Sequence, residues 1–142
     1  MTIAAILERK GRDVITVEAS TTVRGAVALL AEKRIGAVPV MEGGRVAGVL
    51  SERDVIYCLR TEGAAVLDRT VDKVMTAPAI TVEPQVPVLV ALSQMTKRRI
   101  RHLPVVEGGK LVGLVSIGDL VAYRISRIED EAEAMRTYIQ SV

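Results

Sequence analysis

The fold is decided by Gly48-Val49-Leu50-Ser51-Glu52-Arg53-Asp54, which returns as Gly113-Leu114-Val115-Ser116-Ile117-Gly118-Asp119. Each copy reads as the end of an apolar strand, a hydroxyl, and a helix start with a carboxylate three residues later. A helix start offers free N–H groups and a positive dipole end, which favour a phosphate. The same Ser-x-x-Asp pattern is also a weak capping box that needs no ligand. One copy alone favours the cap over a binding site.

The offset of 65 residues extends well beyond this stretch. Ile80-Thr81-Val82-Glu83 matches Ile15-Thr16-Val17-Glu18, and Glu107-Gly108-Gly109 matches Glu42-Gly43-Gly44. The register needs no gap over about 45 residues, and about a third of the positions are identical. The chain therefore contains an internal duplication. Two units this small should pack together about a pseudo-twofold axis.

Periodicity predicts the same order of elements in each unit: strand, helix, strand, strand, helix. The first strand of unit 1 is Val14 to Val17, and its second contains Pro39, which we expect at an edge or a bulge because proline has no N–H to donate. A short leading helix spans Thr2 to Lys10. Residues 61–77 connect the units and have an ordinary composition, so we expect them to pack.

The last segment, 119–142, has neither Gly nor Pro and predicts a long helix. Its apolar residues alternate at steps of four and three: Val121, Ile125, Ile128, Ala132, Met135 and Ile139. This stripe predicts packing against the leading helix or a dimer mate, with docking to another protein as the alternative.

Composition limits the functions to be considered. The chain has no Phe or Trp, so base-stacking platforms for single-stranded nucleic acid are not expected. The net charge of +2 is too small to indicate nucleic acid or an anionic membrane. The lone Cys58 cannot form an intrachain disulfide, and no signal peptide or membrane span is evident, so we expect a cytoplasmic protein. With one His and one Cys, no catalytic arrangement can be proposed.

The duplicated unit resembles a CBS domain, the module named after cystathionine β-synthase, and the pair resembles a Bateman module. The resemblance rests on the Ile-Thr-Val strands, the Pro-Val strands after Ile35 and Ile100, the Gly-Gly hairpins, and the two Ser-x-x-Asp turns. It implies an α/β (α+β) fold of two tandem βαββα units with pseudo-twofold symmetry, a short N-terminal helix and a long C-terminal helix. The division we predict is a leading helix at 1–9, CBS domains at 10–68 and 75–132, a connector at 69–74, and the end of the last helix at 133–142.

The resemblance also implies a function, because family members bind adenine nucleotides in two clefts and perform no chemistry on them. It predicts AMP, ADP or ATP as ligand, NAD(H) as a possibility, and S-adenosylmethionine as a weaker one. A homodimer and a regulated protein on another chain are the expected partners. A structural dimer or adaptor with vestigial clefts is the alternative.

Residue roles follow from the same resemblance. Asp54 and Asp119 would hold ribose, and Ser51 and Ser116 would hold phosphate. Adenine would be enclosed by the first strand of each unit, which holds Thr16 or Thr81, and by the backbone at the start of the second strand. That backbone comprises Ala37, Val38 and Pro39 in the first unit and His102, Leu103 and Pro104 in the second.

The halves differ at two places. Arg101-His102 stands where the first half has Gly36-Ala37, and Arg53 stands where the second has Gly118. We expect Arg53, Arg101 and His102 to contact the ligand, His102 more strongly when protonated. The glycines would leave room for a longer ligand, so the two clefts should be inequivalent.

Overall fold

The computed structural model describes residues 1–141 and shows a mixed α/β fold built from two similar units. The second unit ends in a helix more than twice as long as its counterpart in the first. The helices are α1 (Ile3–Lys10), α2 (Val23–Lys33), α3 (Glu52–Glu62), α4 (Val88–Arg98) and α5 (Ile117–Gln140), and the strands are β1 (Val17–Glu18), β2 (Ala37–Glu42), β3 (Arg45–Ser51), β4 (His102–Glu107) and β5 (Lys110–Ser116).

Each unit is centred on an antiparallel hairpin whose turn is a Gly-Gly pair. In the β2–β3 turn, Gly43 and Gly44 have φ angles of 59° and 78°, which favour glycine. In unit 1, β1 adds in parallel to β2, while unit 2 has a single parallel bridge between Val82 and Val105. The first strand is shorter than predicted: the parallel ladder begins at Val40 because Pro39 has no N–H to donate. Pro39 pairs with Val49 of β3 and precedes by one residue the irregularity between Val40 and Met41, although β2 is the central strand of the sheet rather than an edge.

The apolar side chains form one core in each unit. The leading helix α1 packs into the second unit, where Ile3, Ile6 and Leu7 are buried. The connector takes the corresponding place in the first unit through Val71 and Val74. The segment ahead of each unit thus completes the core of the other unit.

Backbone hydrogen bonds show the same relationship between the units. Val71 N donates to Thr21 O at 2.8 Å, and Ile3 N donates to Val86 O at 2.9 Å. The acceptors Thr21 and Val86 are 65 residues apart and the donors Ile3 and Val71 are 68 apart, so the leading segment and the connector contact equivalent positions of the two units with a shift of three residues. The connector therefore packs, as its composition predicts, and includes two short 3-10 helices at Gly63–Asp68 and Val71–Lys73.

Helix α5 is long, as predicted, although Val142 lies outside the described residues. Its first turns contact the core through Leu120 and Tyr123. Most of the predicted stripe is exposed, because α1 reaches only the beginning of the helix; between 43% and 66% of the accessible surface remains free at Val121, Ile125, Ile128, Met135 and Ile139. Packing against a dimer mate stays a prediction. Among the described residues, no helix is both long and apolar enough to cross a membrane.

Candidate functional site

The turn between β3 and α3 forms a complete capping box. The Asp54 amide donates to Ser51 Oγ at 3.3 Å, and the Asp54 carboxylate accepts from the Ser51 amide at 2.9 Å. Ser51 Oγ also lies 3.0 Å from the same carboxylate oxygen. The residues predicted to hold ribose and phosphate therefore also start the helix.

The turn between β5 and α5 repeats this geometry. The Asp119 amide donates to Ser116 Oγ at 3.1 Å, and the Asp119 carboxylate accepts from the Ser116 amide at 2.8 Å. The capping interpretation is thus confirmed at both turns. Any ligand must use acceptor positions that the cap leaves free, since a carboxylate has about four lone-pair sites.

A cavity of about 420 Å³ lies between the two units at the first of these turns. Its volume falls within the range of about 300–1,000 Å³ that is typical of small-molecule sites. Residues from both halves line it: Gly36, Val49, Ser51, Glu52, Arg53, Asp54, Tyr57, Thr76, Ala79, Ile80, Arg99, Ile100, Arg101 and His102. A molecule in this cavity would contact both units at once.

The lining of the cavity combines two carboxylates, the anchored Asp54 and Glu52, with three guanidinium groups. Arg53 comes from the start of α3, while Arg99 and Arg101 come from the segment between α4 and β4. All three arginines are exposed and are therefore accessible to an anion. Arginine binds phosphate through a planar fork of N–H donors, so the mouth of this cavity suits a phosphorylated ligand. The two halves thus supply their basic residues to one cavity.

Thr76 belongs to this cavity, although the sequence did not indicate it. Its hydroxyl donates to Asp54 Oδ1 at 3.1 Å, and its backbone forms two hydrogen bonds with Val49, at 2.9 and 3.0 Å. Thr76 stands 22 residues after Asp54, at the end of the connector, where it resembles an ordinary polar residue before a turn. Only the folding of the connector onto β3 shows its role.

Several predicted residues lie outside the lining of this cavity. Ala37, Val38 and Leu103 are buried in the cores. Thr81 lines a separate groove beside α4. The others are Thr16, Pro39, Pro104, Ser116, Gly118 and Asp119. Their assignment to a ligand stays a prediction.

At the second turn, Asp119 is paired with a lysine from α1. Lys10 Nζ donates to Asp119 Oδ2 at 2.6 Å and to the carbonyl oxygen of Leu114 at 2.7 Å. Burial raises the pKa of Asp119, but the bonds from Lys10 and Ser116 and the lysine charge outweigh it, so this pKa lies below its ordinary value. Asp119 is therefore an ionised carboxylate held by an ammonium group.

His102 is partly buried at the interface between the units, close to Gly36, where an added Cβ would lie 3.6 Å from the imidazole Cε1. Burial and the positive charge of Lys10 lower the pKa of His102 below its ordinary value, against the opposing effect of Asp119 and Glu52. The imidazole is thus neutral at neutral pH. A protonated His102, which the sequence suggested as a stronger donor, requires acidic conditions.

Comparison with known proteins agrees with this architecture. The family model described as "CBS domain" matches the chain twice, at residues 7–61 and 71–126. A mitochondrial CBS domain-containing protein of Arabidopsis thaliana, CBSX3, is 32% identical over 148 residues, covering 98% of this chain and 72% of the relative. The chain belongs to the CBS domain family.

Two solved structures are especially informative. The CBS-domain protein ATU1752 of Agrobacterium tumefaciens superposes with a TM-score of 0.84 at 37% identity, covering 87% of this chain and 99% of that one. CBSX2, solved in complex with AMP, superposes with a TM-score of 0.71 at 26% identity, covering 82% of this chain and 90% of the other. The fold that the resemblance implies, two tandem CBS units, is confirmed.

Proposed function

We propose that this CBS-domain pair is a regulatory module that binds an adenine nucleotide in the cavity between its units. The observation that supports the proposal most directly is the cavity itself, which is lined by the Asp54 carboxylate and by Arg53, Arg99 and Arg101. A carboxylate suits a ribose diol, and guanidinium groups suit a phosphate. The AMP complex of CBSX2 supports the same ligand class.

The residues present fit such a ligand chemically. Asp54 is oriented by Ser51 and Thr76, so its carboxylate is fixed before a ligand arrives. AMP, ADP or ATP is the proposed ligand. NAD(H) is a further candidate because Gly36 adds no side chain to the cavity. S-adenosylmethionine is less suited, since its sulfonium charge would face the arginines.

The proposed mechanism is a shift between relative orientations of the two units. Residues 51–54 lie in the first unit, whereas residues 99–102 lie in the second. A ligand that contacts both groups favours the orientation in which both can reach it. A partner on another chain would read that orientation, and the module itself would act without catalysis.

Thermal unfolding with a panel of ligands tests this proposal. AMP, ADP, ATP, NAD⁺, NADH and S-adenosylmethionine are added separately to the wild type and to Asp54→Asn, which keeps the side-chain size and removes the charge. We expect at least one adenine nucleotide to raise the melting temperature of the wild type, with a Kd in the micromolar range, and to have little effect on the variant. A panel with no thermal shift would reject the proposal.

A structural dimer or adaptor is the second candidate, and the exposed apolar stripe of α5 favours it. Ile125 and Ile128 expose about half of their accessible surface, 50% and 49%. Homodimerisation through this helix would bury them. Replacing both with Glu should then convert a dimer into a monomer in light scattering, while Asp54→Asn should leave the mass unchanged. A monomeric wild type would remove this candidate.

A further inference from the structure

The two Ser-x-x-Asp turns have equivalent geometry but different partners. In the first, Thr76 satisfies both Asp54 Oδ1, through its hydroxyl, and the Val49 carbonyl, through its amide. In the second, one ammonium group contacts the equivalent aspartate and the equivalent carbonyl, but on the carboxylate oxygen that also accepts from the Ser116 amide. Lys10 Nζ donates to Asp119 and to the carbonyl of Leu114, which lies 65 residues after Val49.

These partners differ in what they allow a ligand to do. A threonine hydroxyl is neutral, small and able to rotate, and it can accept as well as donate a hydrogen bond. A lysine ammonium has only donors, and its bond to a carboxylate is charge-assisted and correspondingly strong. Lys10 comes from the last turn of α1, and Leu7 of the same helix packs against Gly113 of β5. The helix therefore places the lysine at this turn.

We propose that Lys10 closes the second cleft by pairing with Asp119, so that the chain binds one nucleotide where its duplicated sequence suggests two. The inference rests on the proposed function of the first cavity and adds the residue that makes the clefts inequivalent. A ribose diol entering the second cleft would have to compete with an ammonium 2.6 Å from the carboxylate. In the first cleft, the partners of the carboxylate are the neutral Thr76 hydroxyl and the Ser51 groups of the cap.

The charge around each turn favours the same assignment. The first cavity has three arginines, Arg53, Arg99 and Arg101, for one anionic ligand. At the second turn, the positions equivalent to Arg53 and Arg101 are Gly118 and Gly36, whereas Arg34 stands at the position equivalent to Arg99. Lys10 is the cation that bonds Asp119 at this turn, and its charge is compensated by that carboxylate.

Calorimetric titration with AMP tests this inference. The wild type should bind about one AMP per chain, and Lys10→Met should bind about two, because methionine keeps the length of the side chain and removes the ammonium. The second site should bind AMP at least tenfold more tightly in the variant than in the wild type. Lys33→Met, a matched change at an exposed lysine of α2, should bind like the wild type.

A double variant, Lys10→Met with Asp119→Asn, assigns the added site. It should return to one AMP per chain if the new site uses Asp119. The inference is overturned if Lys10→Met still binds one AMP with unchanged affinity, or binds AMP more weakly than the wild type at an Asp119-dependent site. It is also overturned if the wild type already binds two. AMP binding by the wild type tests the proposed function, whereas the difference between Lys10→Met and the wild type tests the role of Lys10. The proposed function and this inference can therefore fail separately.

Discussion

Gly48 and Gly113 are equivalent glycines whose replacement should have different consequences. A Cβ on Gly48 would lie 2.6 Å from the Thr76 carbonyl oxygen and 2.7 Å from Met75 Sδ. A Cβ on Gly113 would lie 2.6 Å from Leu7 Cδ2, which belongs to a side chain. The first clash can be relieved only by moving the connector backbone, whereas the second can be relieved in part by rotating a leucine.

The magnitude follows from the contacts at Gly48. Overpacking a close contact costs about 1–3 kcal/mol, and the two Thr76–Val49 hydrogen bonds are worth about 1 kcal/mol each. Alanine recovers about 0.5–1 kcal/mol relative to glycine within a strand. We therefore expect Gly48→Ala to lower the free energy of unfolding by about 2–3 kcal/mol, and Gly113→Ala by about 1–2 kcal/mol, because only side-chain packing changes there.

Urea unfolding followed by circular dichroism measures both losses. AMP titration then separates their effects on binding, since Gly48→Ala displaces Thr76, a lining residue of the cavity, and should weaken AMP several-fold. Gly113→Ala should leave AMP binding at this cavity unchanged. Wild-type stability in Gly48→Ala, or a larger loss of AMP affinity in Gly113→Ala, would refute this account of how β3 and the connector form the site.

Three further predictions concern the charges and caps. Arg101→Gln should weaken AMP binding about tenfold by calorimetry, because it removes a charged donor from the cavity mouth, and Arg98→Gln, outside the lining, should not. Because the pKa of His102 is lowered in the folded state, its contribution to stability is present above its ordinary pKa of about 6.5 and is lost as pH falls through the lower folded value. His102→Gln should flatten this acid loss in urea titrations. Ser116→Ala should cost about 1 kcal/mol in calorimetric unfolding, since it removes the N-cap of α5.

Each of these predictions has a direct contradiction. Equal losses of AMP affinity in the two arginine variants would show that general charge, not the position of Arg101, attracts the nucleotide. An acid dependence that is identical with and without the imidazole would remove His102 as its source. Unchanged stability after Ser116→Ala would show that Asp119 alone maintains the start of α5.

Much of the fold follows from the duplication, because repetition at one offset relates elements that are weak signals individually. The Gly-Gly hairpins and the Ser-x-x-Asp helix starts are local features, and the structure contains them where the pattern places them. The brevity of β1 is also a local effect, since Pro39 limits the parallel ladder. The periodicity of apolar residues alone predicted a longer first strand.

Which residues line the site could not be predicted in full from the sequence, because the lining depends on how the two units pack together. Arg53 and Arg101 occupy non-equivalent positions in the repeat, yet they line one cavity. Thr76 stands at the beginning of the second unit and bonds Asp54 of the first. Lys10 stands at the beginning of the first unit and bonds Asp119 of the second. The repeat in the sequence does not predict that the segment at the start of one unit contacts the other unit. The ligand roles of Thr16 and Thr81 stay predictions.

A crystal structure of the protein grown with saturating AMP tests the central claim most directly. We predict nucleotide density in the cavity between the units, with the ribose at Asp54 and the phosphate among Arg53, Arg99 and Arg101. AMP bound elsewhere, such as in the groove beside α4 that Thr81 lines, would contradict this account, as would a cavity without nucleotide at saturating concentration.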